Sequence, residues 1–336
     1  AGIEIIDEFQ LQKSKSRTTL GVPSIRKNRR GYVWVFSFLS AACKFFRRDN
    51  QLSSIDITKK EFITSLTDSV TAKSPHGRLQ PRDYEIMRFI LEQKFCSLES
   101  IYFRFFDVRE TQAEPLPKNL WTTRQRLAKL RGIALIKTEK VPSSGCAHFL
   151  LTPFGHKILT TQVKDAVLIR PAKQIDFSLY EHDTRVTMIR ALTESKGKCR
   201  AWYSEKWLKA SAILIDDKHK FHFAKDLRPD AFLINSKNEK IALELEVARK
   251  ARGRIEEKIR LYDDLLEEGY HGRDSSGGRF KVIDKVWFIT TKPVVMRFIK
   301  RMIETTSRHP LCYRVDFYDE IIPKTVSKSE PEAANG

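Results

Sequence analysis

The chain has 336 residues, enough for two or three domains, and carries a formal net charge of +19. An excess of positive charge of this size favours a polyanionic partner, most often DNA or RNA, with an anionic membrane as the lesser option. Hydrophobic residues make up 41% of the chain, so it can form a core, and the 5 cysteines include no C-x-x-C pair, which argues against a zinc ribbon or a redox pair.

The N-terminal segment, residues 1–75, is predicted to be a basic extension. Its apolar stretch at 32–46 is shorter than the ~20 apolar residues of a membrane-spanning helix. We interpret this stretch as a buried helix or strand, with peripheral membrane contact as the alternative. Residues 71–81 are rich in turn formers and predict a linker.

Three helices and a β-hairpin are predicted between residues 80 and 162. Apolar spacing indicates helices at 83–93, 98–106 and 120–132, followed by strands at 133–140 and 147–152 and a closing helix. This order is typical of a winged-helix domain, whose third helix enters the major groove of DNA. The alternative is a helical protein-interaction domain with a solvated basic helix.

The third predicted helix carries side chains suited to DNA, because Arg and Lys can contact guanine edges or phosphates. The predicted DNA-binding residues are Thr122, Thr123, Arg124, Arg126, Lys129 and Arg131. Trp121, Leu127 and Leu130 are expected to face the core of the domain.

A second domain is predicted over residues 175–320, so the fold class is α+β and multidomain. Its predicted elements are a helix at 178–195, a strand or short helix at 201–209, strands at 220–223, 228–234 and 241–248, a helix at 252–268, a loop at 269–278, a strand at 285–291, a helix at 293–307 and a strand at 313–319. The core order is helix, three strands, helix, strand (αβββαβ). Residues 325–336 are expected to be disordered.

Three carboxylates are predicted to meet on neighbouring strands of the second domain. Side chains alternate along a strand, so Glu244 and Glu246 share one face while Leu243, Leu245 and Val247 face the core. If residues 231–234 pair with 241–244, Asp230 lies beside residue 245, next to both glutamates. Lys250 follows where the strand gives way to a helix and could reach the same pocket. Oxygen ligands of this kind suit Mg²⁺, although a solvent-facing strand edge is the plainer alternative.

The motifs RPDA and ELEVARK on this element order resemble the PD-(D/E)XK nuclease superfamily. More narrowly, LTPFG, EHDTRV, W-x-x-E at 202–205, RPDA and ELEVARK-x₇-K-x₃-Y resemble the plasmid replication-relaxation family. They also resemble related relaxases of mobilisable elements that use a restriction-nuclease fold. The resemblance covers roughly residues 80–300.

The resemblance implies that Asp230 and Glu244 are catalytic metal ligands. Glu246 stands where the superfamily usually has its lysine, so it would be a third ligand or a base. Some members carry Glu there, and others move the lysine onto the following helix. Lys250 or Lys258 is therefore the expected substitute, with Lys250 supporting the phosphate.

Three further residues are candidate accessory groups: His182, Glu194 and Glu205. His182 could alternatively be a core histidine, because it recurs on the apolar face of its helix. Tyr262 is expected to belong to the core rather than to act as a nucleophile, because it shares an apolar face with two isoleucines.

Two hypotheses about function follow from these patterns. The first is a DNA endonuclease or nickase of a plasmid or other mobile element, with Mg²⁺ or Mn²⁺ as cofactor. The second is a replication, mobilisation or regulatory protein that binds DNA on an inactive nuclease fold. A membrane-associated or scaffolding protein ranks below both. Double-stranded DNA is the expected partner, a homodimer is left open, and the bacterial cytoplasm is the expected location.

Overall fold

The computed structural model describes residues 79–109, 117, 120–142, 145–215, 220–267, 271–273 and 279–322. All of these residues belong to one compact unit. The expectations for residues 1–75, for most of the 71–81 linker and for 325–336 lie outside the described residues. Within the described ranges, no helix is both long enough and apolar enough to cross a membrane.

The first part of the described chain contains helices and a two-stranded hairpin. Its elements are α1 (Pro81–Gln93), α2 (Leu98–Phe105), α3 (Trp121–Gly132), β1 (Ile136–Lys140), β2 (Ala147–Leu151) and α4 (Pro153–Gln162). Proline at the first helical position starts α1 and α4, and the Ser97 side chain caps α2 by accepting the Ser100 N–H at 3.1 Å. The predicted order of three helices, a hairpin and a closing helix is confirmed.

One buried stripe attaches α3 to this part of the molecule. Leu127 and Leu130 are each 1% exposed and share a core with Ile86 of α1. Trp121 was expected to join them, and this prediction is wrong, because the residue is 66% exposed. Thr123 is fully buried and completes the stripe at helical spacing, which leaves residue 121 on the opposite side of the helix.

The second part of the described chain is built around a five-stranded mixed sheet. Its elements are α5 (Tyr180–Ser195), β3 (Cys199–Ser204), α6 (Glu205–Ala210), β4 (Ile213–Leu214), β5 (Lys220–Phe221), β6 (Ala231–Asn235), β7 (Lys240–Glu246), α7 (Arg252–Leu266), β8 (His271–Arg273), β9 (Arg279–Lys281), β10 (Lys285–Thr290), α8 (Pro293–Thr306), β11 (Tyr313–Phe317) and α9 (Tyr318–Ile321). The strand order is β11–β10–β7–β6–β3, with β10 parallel to both neighbours and β6 antiparallel to both. The α+β class is confirmed.

The prediction for the first strand of this sheet is wrong. Residues 220–223 were expected to supply it, but β5 pairs with β4 in a separate ladder. The first strand is β3, which pairs with β6 and overlaps the segment 201–209, for which the sequence predicts a strand or a short helix. This segment forms both a strand and a short helix. Ser204 ends β3, and its side chain caps α6 by accepting the Trp207 N–H at 3.4 Å. The predicted loop at 269–278 likewise contains β8, which pairs with β9.

The β6–β7 register brings one acid from each strand to the same level. Ala231 pairs with Leu243, so one further step places Asp230 level with Glu244. The expected register, with Asp230 beside residue 245, is therefore wrong by one residue. The connecting turn is tightened by Asn235, whose Oδ1 accepts two N–H groups of the turn at 2.9 Å each.

Helices cover both faces of the sheet. On one face α5 packs Ile189 against Leu243 and Leu245 of β7. On the other face α7 packs Ile259 against Phe232 and its neighbours. Because side chains alternate along β7, its two glutamates lie on the α7 face, away from the leucines, as predicted.

Candidate active site and nucleic-acid interface

A cleft of about 680 Å³ lies where β6 begins and β7 ends. Residues of α5, the β6–β7 hairpin and the first turns of α7 line it. The predicted site residues found there are His182, Glu205, Asp230, Glu244, Glu246, Lys250 and Lys258. The cleft therefore joins acids and bases from three elements at one end of the sheet.

Asp230 is held at the mouth of the cleft by two donors. Its side chain is 22% exposed, and Oδ2 lies 3.1 Å from Nε2 of His182. The same oxygen accepts the Leu245 N–H at 2.8 Å, which ties the carboxylate to the end of β7. Burial acts to raise the pKa of Asp230, but the hydrogen bond and charge of His182 outweigh it and hold the pKa below its ordinary value. The carboxylate is therefore ionised at neutral pH.

Glu244 is a buried carboxylate with one donor on each oxygen. Its side chain is 2% exposed, Lys258 Nζ donates to Oε2 at 2.5 Å, and the Tyr262 hydroxyl donates to Oε1 at 2.5 Å. Burial raises the pKa of Glu244 to about 7, in spite of the nearby ammonium of Lys258. Tyr262 is fully buried, which confirms that it belongs to the core.

Lys258 keeps its proton under the same conditions. Burial acts to lower the pKa of Lys258, but the attraction of Glu244 is stronger, and the net result is a raised pKa. Near neutral pH the pair thus combines a permanently charged ammonium with a carboxyl group that can gain or lose a proton.

Glu246 is paired separately from Glu244. Its side chain is 2% exposed, and Oε1 accepts from Lys250 Nζ at 2.6 Å. Lys250 is 32% exposed, so its ammonium group borders the solvent-filled part of the cleft. The two lysines that the sequence offered as substitutes therefore contact different glutamates, Lys258 from α7 and Lys250 from the turn before it.

His182 bridges two carboxylates at the start of α5. Its Nε2 faces Asp230 at 3.1 Å and its Nδ1 faces Asp183 at 3.4 Å. Burial acts to lower the pKa of His182, but the two carboxylates raise it to about 10, so the ring is an imidazolium at neutral pH. His182 is thus part of the cleft and not a core histidine.

Lys94 of α1 is a cleft residue that the sequence did not indicate. Its Nζ lies 2.8 Å from Oδ2 of Asp183 and 3.4 Å from Oε2 of Glu205. Lys94 ends α1 with a positive φ of 71°, which directs the chain away from the helix. The contact joins residues 89 positions apart, and no local pattern could have indicated it.

Glu194 does not lie in the cleft. It is near the C-terminal end of α5, where Arg104 Nε donates to Oε2 at 2.5 Å and Arg190 lies 3.2 Å from Oε1. His182 stands twelve residues earlier on the same helix, a rise of roughly 18 Å. Glu194 instead joins α5 to α2 through its ion pairs.

Asp230, Glu244 and Glu246 are each in contact with a cationic side chain. Within the part of the chain that the structure describes, no group of three or more His, Cys, Asp and Glu side chains is arranged to hold a metal ion. The predicted ligand set of Asp230, Glu244 and Glu246 is thus brought to one cleft without forming a ready three-residue metal cage.

The α3 helix presents a basic surface with no acidic residue in its sequence, WTTRQRLAKLRG. Four of the predicted DNA-binding residues are exposed: Thr122, Arg124, Lys129 and Arg131. The other two face inward. Thr123 is fully buried, and Arg126 Nε donates to Oδ1 of the buried Asp83 at 2.5 Å.

Comparison with known proteins gives one family match. A family model described as replication-relaxation matches residues 88–279. The matched segment runs from α1 to the start of β9, and so it includes α3 and the acids and lysines of the cleft. Searches of curated proteins and of solved structures found no match. The match confirms the family resemblance seen in the motifs.

Proposed function

The chain belongs to the replication-relaxation family, and we propose that it is a DNA-binding protein of a plasmid or other mobile element that nicks DNA at the β6–β7 cleft. The observation that carries this proposal is the contact between Glu244 and Lys258 in the cleft that also holds Asp230. Two acids and a lysine at one strand end form the group that a PD-(D/E)XK nuclease requires. The order α5, β3, β6, β7, α7, β10 supports the same assignment.

Lys258 is the proposed replacement for the lysine that Glu246 displaces. It reaches the cleft from α7 and contacts the acid two residues before Glu246 on β7. Its ammonium is charged at neutral pH and can contact a phosphate or orient a water molecule. Lys250, on the open side of the cleft, is suited to holding the DNA backbone.

The acids of the cleft fit a divalent cation that keeps part of its water shell. Mg²⁺ is commonly held by one or two carboxylates together with substrate phosphates, so a three-residue cage is not needed. Asp230 is ionised, and Glu244 becomes so near pH 7, which gives two oxygen ligands suited to Mg²⁺ or Mn²⁺. A bound cation would supply charge stabilisation at the phosphate and lower the pKa of a water molecule. Asp230 and Glu244 would hold it, and His182 would keep Asp230 in place.

DNA binding is assigned to the exposed face of α3. The order of three helices, a hairpin and a helix supports a winged-helix domain, in which α3 would enter the major groove. Arg124, Lys129 and Arg131 are the exposed cations of this helix. The net charge of +19 supports a polyanionic partner as well.

A nicking assay tests the enzyme proposal. Supercoiled plasmid carrying the mobile element's own DNA is incubated with the protein in Mg²⁺, Mn²⁺ or EDTA, and DNA affinity is measured in parallel. Asp230→Asn and Glu244→Gln are expected to lower nicking by roughly 100-fold or more while affinity is retained. The matched control is Glu239→Gln, because Glu239 lies before β7 at the far end of the strand and pairs with Lys285. Nicking at the wild-type rate by Asp230→Asn and Glu244→Gln, as by the control, would show that the cleft does not carry out the reaction.

A second candidate function is DNA binding without cleavage. It is favoured by the cationic contact that each of the three predicted metal ligands already has, since Lys250 and Lys258 can neutralise the two glutamates without a metal. This candidate predicts salt-dependent DNA binding and no nicking with any metal. It also predicts no binding of Mn²⁺ that depends on Asp230, which calorimetry can measure without DNA.

A further inference from the structure

Trp121 is an exposed indole at the N-terminal end of α3. It is 66% exposed, although an aromatic side chain of this size usually buries most of its surface. No hydrogen bond or ring contact links it to the described part of the chain. The other tryptophans of the described residues are less exposed: Trp202 is 7% exposed, Trp287 is 9% exposed, and Trp207 is partly buried against the core.

Two anchors keep the Trp121 side of α3 directed outward. The buried stripe of Thr123, Leu127 and Leu130 fixes one side of the helix to the core. Arg126 adds a second anchor through its ion pair with the buried Asp83. Burying the indole would require α3 to turn by about half a revolution and expose the stripe. The outward orientation is therefore a rigid property of the helix.

The neighbours of Trp121 on the helix surface have chemistry that matches base edges. Arg124 and Gln125 follow three and four residues later, so all three share one face, and both are exposed. Arginine pairs with guanine and glutamine with adenine in the major groove, where apolar groups contact the thymine methyl. With no acid in α3, this face suits a polyanion better than it suits an ordinary protein partner.

We propose that Trp121 is a base-contacting residue of α3 and acts with Arg124 and Gln125 to read duplex DNA. The inference rests on the DNA-binding part of the proposed function and is independent of nicking. Lys129 and Arg131, further along the helix, are assigned to the phosphates. The face around Trp121 thus sets sequence preference, while the cations near the end of the helix set general affinity.

Salt dependence separates a base contact from a phosphate contact. The affinity of a short fluorescein-labelled duplex of mixed sequence is measured by anisotropy over a series of salt concentrations. Trp121→Ala is expected to weaken binding about tenfold without changing the salt slope, because an uncharged side chain releases no counterion. Lys129→Ala is expected to reduce the slope by about 0.9. Leu311→Ala is the control, since Leu311 is apolar, 96% exposed and outside α3.

Iodide quenching gives a second measurement. The difference in fluorescence between the wild type and Trp121→Phe isolates the emission of Trp121, and duplex DNA is expected to shield that emission. Wild-type affinity in Trp121→Ala, together with unshielded emission, would overturn the inference while leaving DNA binding intact. Absence of duplex binding by the wild type would overturn the DNA-binding proposal itself. Shielding by an acidic protein but not by DNA would likewise exclude the base contact.

Discussion

Lys258→Met removes the ammonium that contacts Glu244 at 2.5 Å. The buried carboxyl then keeps the Tyr262 hydrogen bond but loses its positive partner. We expect Glu244 to take up a proton in the variant, because a neutral carboxyl is the less costly form in a buried site. The pKa of Glu244, already about 7 in the wild type, should therefore rise further.

The size of the effect follows from the same pair. Burial raises the pKa of Glu244 from 4.5 to about 7. This shift is equivalent to roughly 3 kcal/mol against the ionised form. Removing one partner of a buried ion pair costs about 3–5 kcal/mol. Because the Lys258 side chain is 17% exposed and Glu244 can be protonated, we expect the lower end, about 3 kcal/mol, in alkaline solution.

The pH dependence has a definite sign. An acid whose folded-state pKa exceeds its unfolded value lowers the free energy of unfolding as pH rises from the unfolded pKa to the folded one. In the wild type this decline ends near pH 7, whereas in Lys258→Met it continues to a higher pH. Each pH unit above 7 can add at most about 1.4 kcal/mol to the stability gap between the two proteins. The gap should therefore be small at pH about 6 and approach about 3 kcal/mol only at pH about 9 or above.

Urea unfolding at these two pH values tests the prediction. Lys285→Met is the matched control, because Lys285 is 45% exposed and its ion pair with Glu239 is a surface pair, worth at most about 1 kcal/mol. Glu244→Gln added to Lys258→Met is expected to recover about 2 kcal/mol in alkaline solution by removing the unpaired acid. An equal loss of stability at both pH values, with no recovery in the double variant, would refute the reasoning.

Three further changes test other contacts. Lys94→Met, which loses the ion pair with Asp183, is expected to lower the nicking kcat about tenfold with unchanged DNA affinity; failure of Lys94→Arg to restore kcat would contradict this. Gly155→Ala puts a Cβ 2.0 Å from the Leu135 carbonyl oxygen, so we expect a loss of about 3 kcal/mol by thermal unfolding, and wild-type stability would disprove the clash. Arg126→Ala leaves the buried carboxylate of Asp83 without its cation and should cost about 3 kcal/mol or more in urea unfolding, whereas a negligible loss would show that the ion pair does not stabilise the fold.

The acids of the cleft could be predicted because a strand has a strict period of two. Glu244 and Glu246 had to share a face wherever β7 began, and the alternating residues Leu243, Leu245 and Val247 identified the opposite face. Lys258 was recognisable as a candidate because it lies about two turns into the predicted amphipathic helix that follows the strand. Its contact with Glu244 needed the angle between β7 and α7, which no sequence pattern contains.

The incorrect or missing predictions concern features that tertiary contacts determine. Trp121 was assigned to the core because large aromatic residues usually are, but Thr123 takes the buried position on α3. Residues 220–223 alternate like a strand, yet only Lys220 and Phe221 form one, and it pairs with β4 and not with the central sheet. Lys94 could not be found because its partner Asp183 lies on a different helix, 89 residues away.

The cleft has a further consequence for the folding of the molecule. Asp230, Glu244 and Lys258 all belong to one hairpin-and-helix segment, so they can meet after closing only short loops, at a low entropic cost. β10 arrives later in the chain and pairs with β7, bringing Phe288 level with Glu244. We therefore expect the local segment to pair its charges while water still reaches them, and the docking of β10 to dehydrate them. Solution pH should accordingly alter the docking of β10 more than the formation of the hairpin.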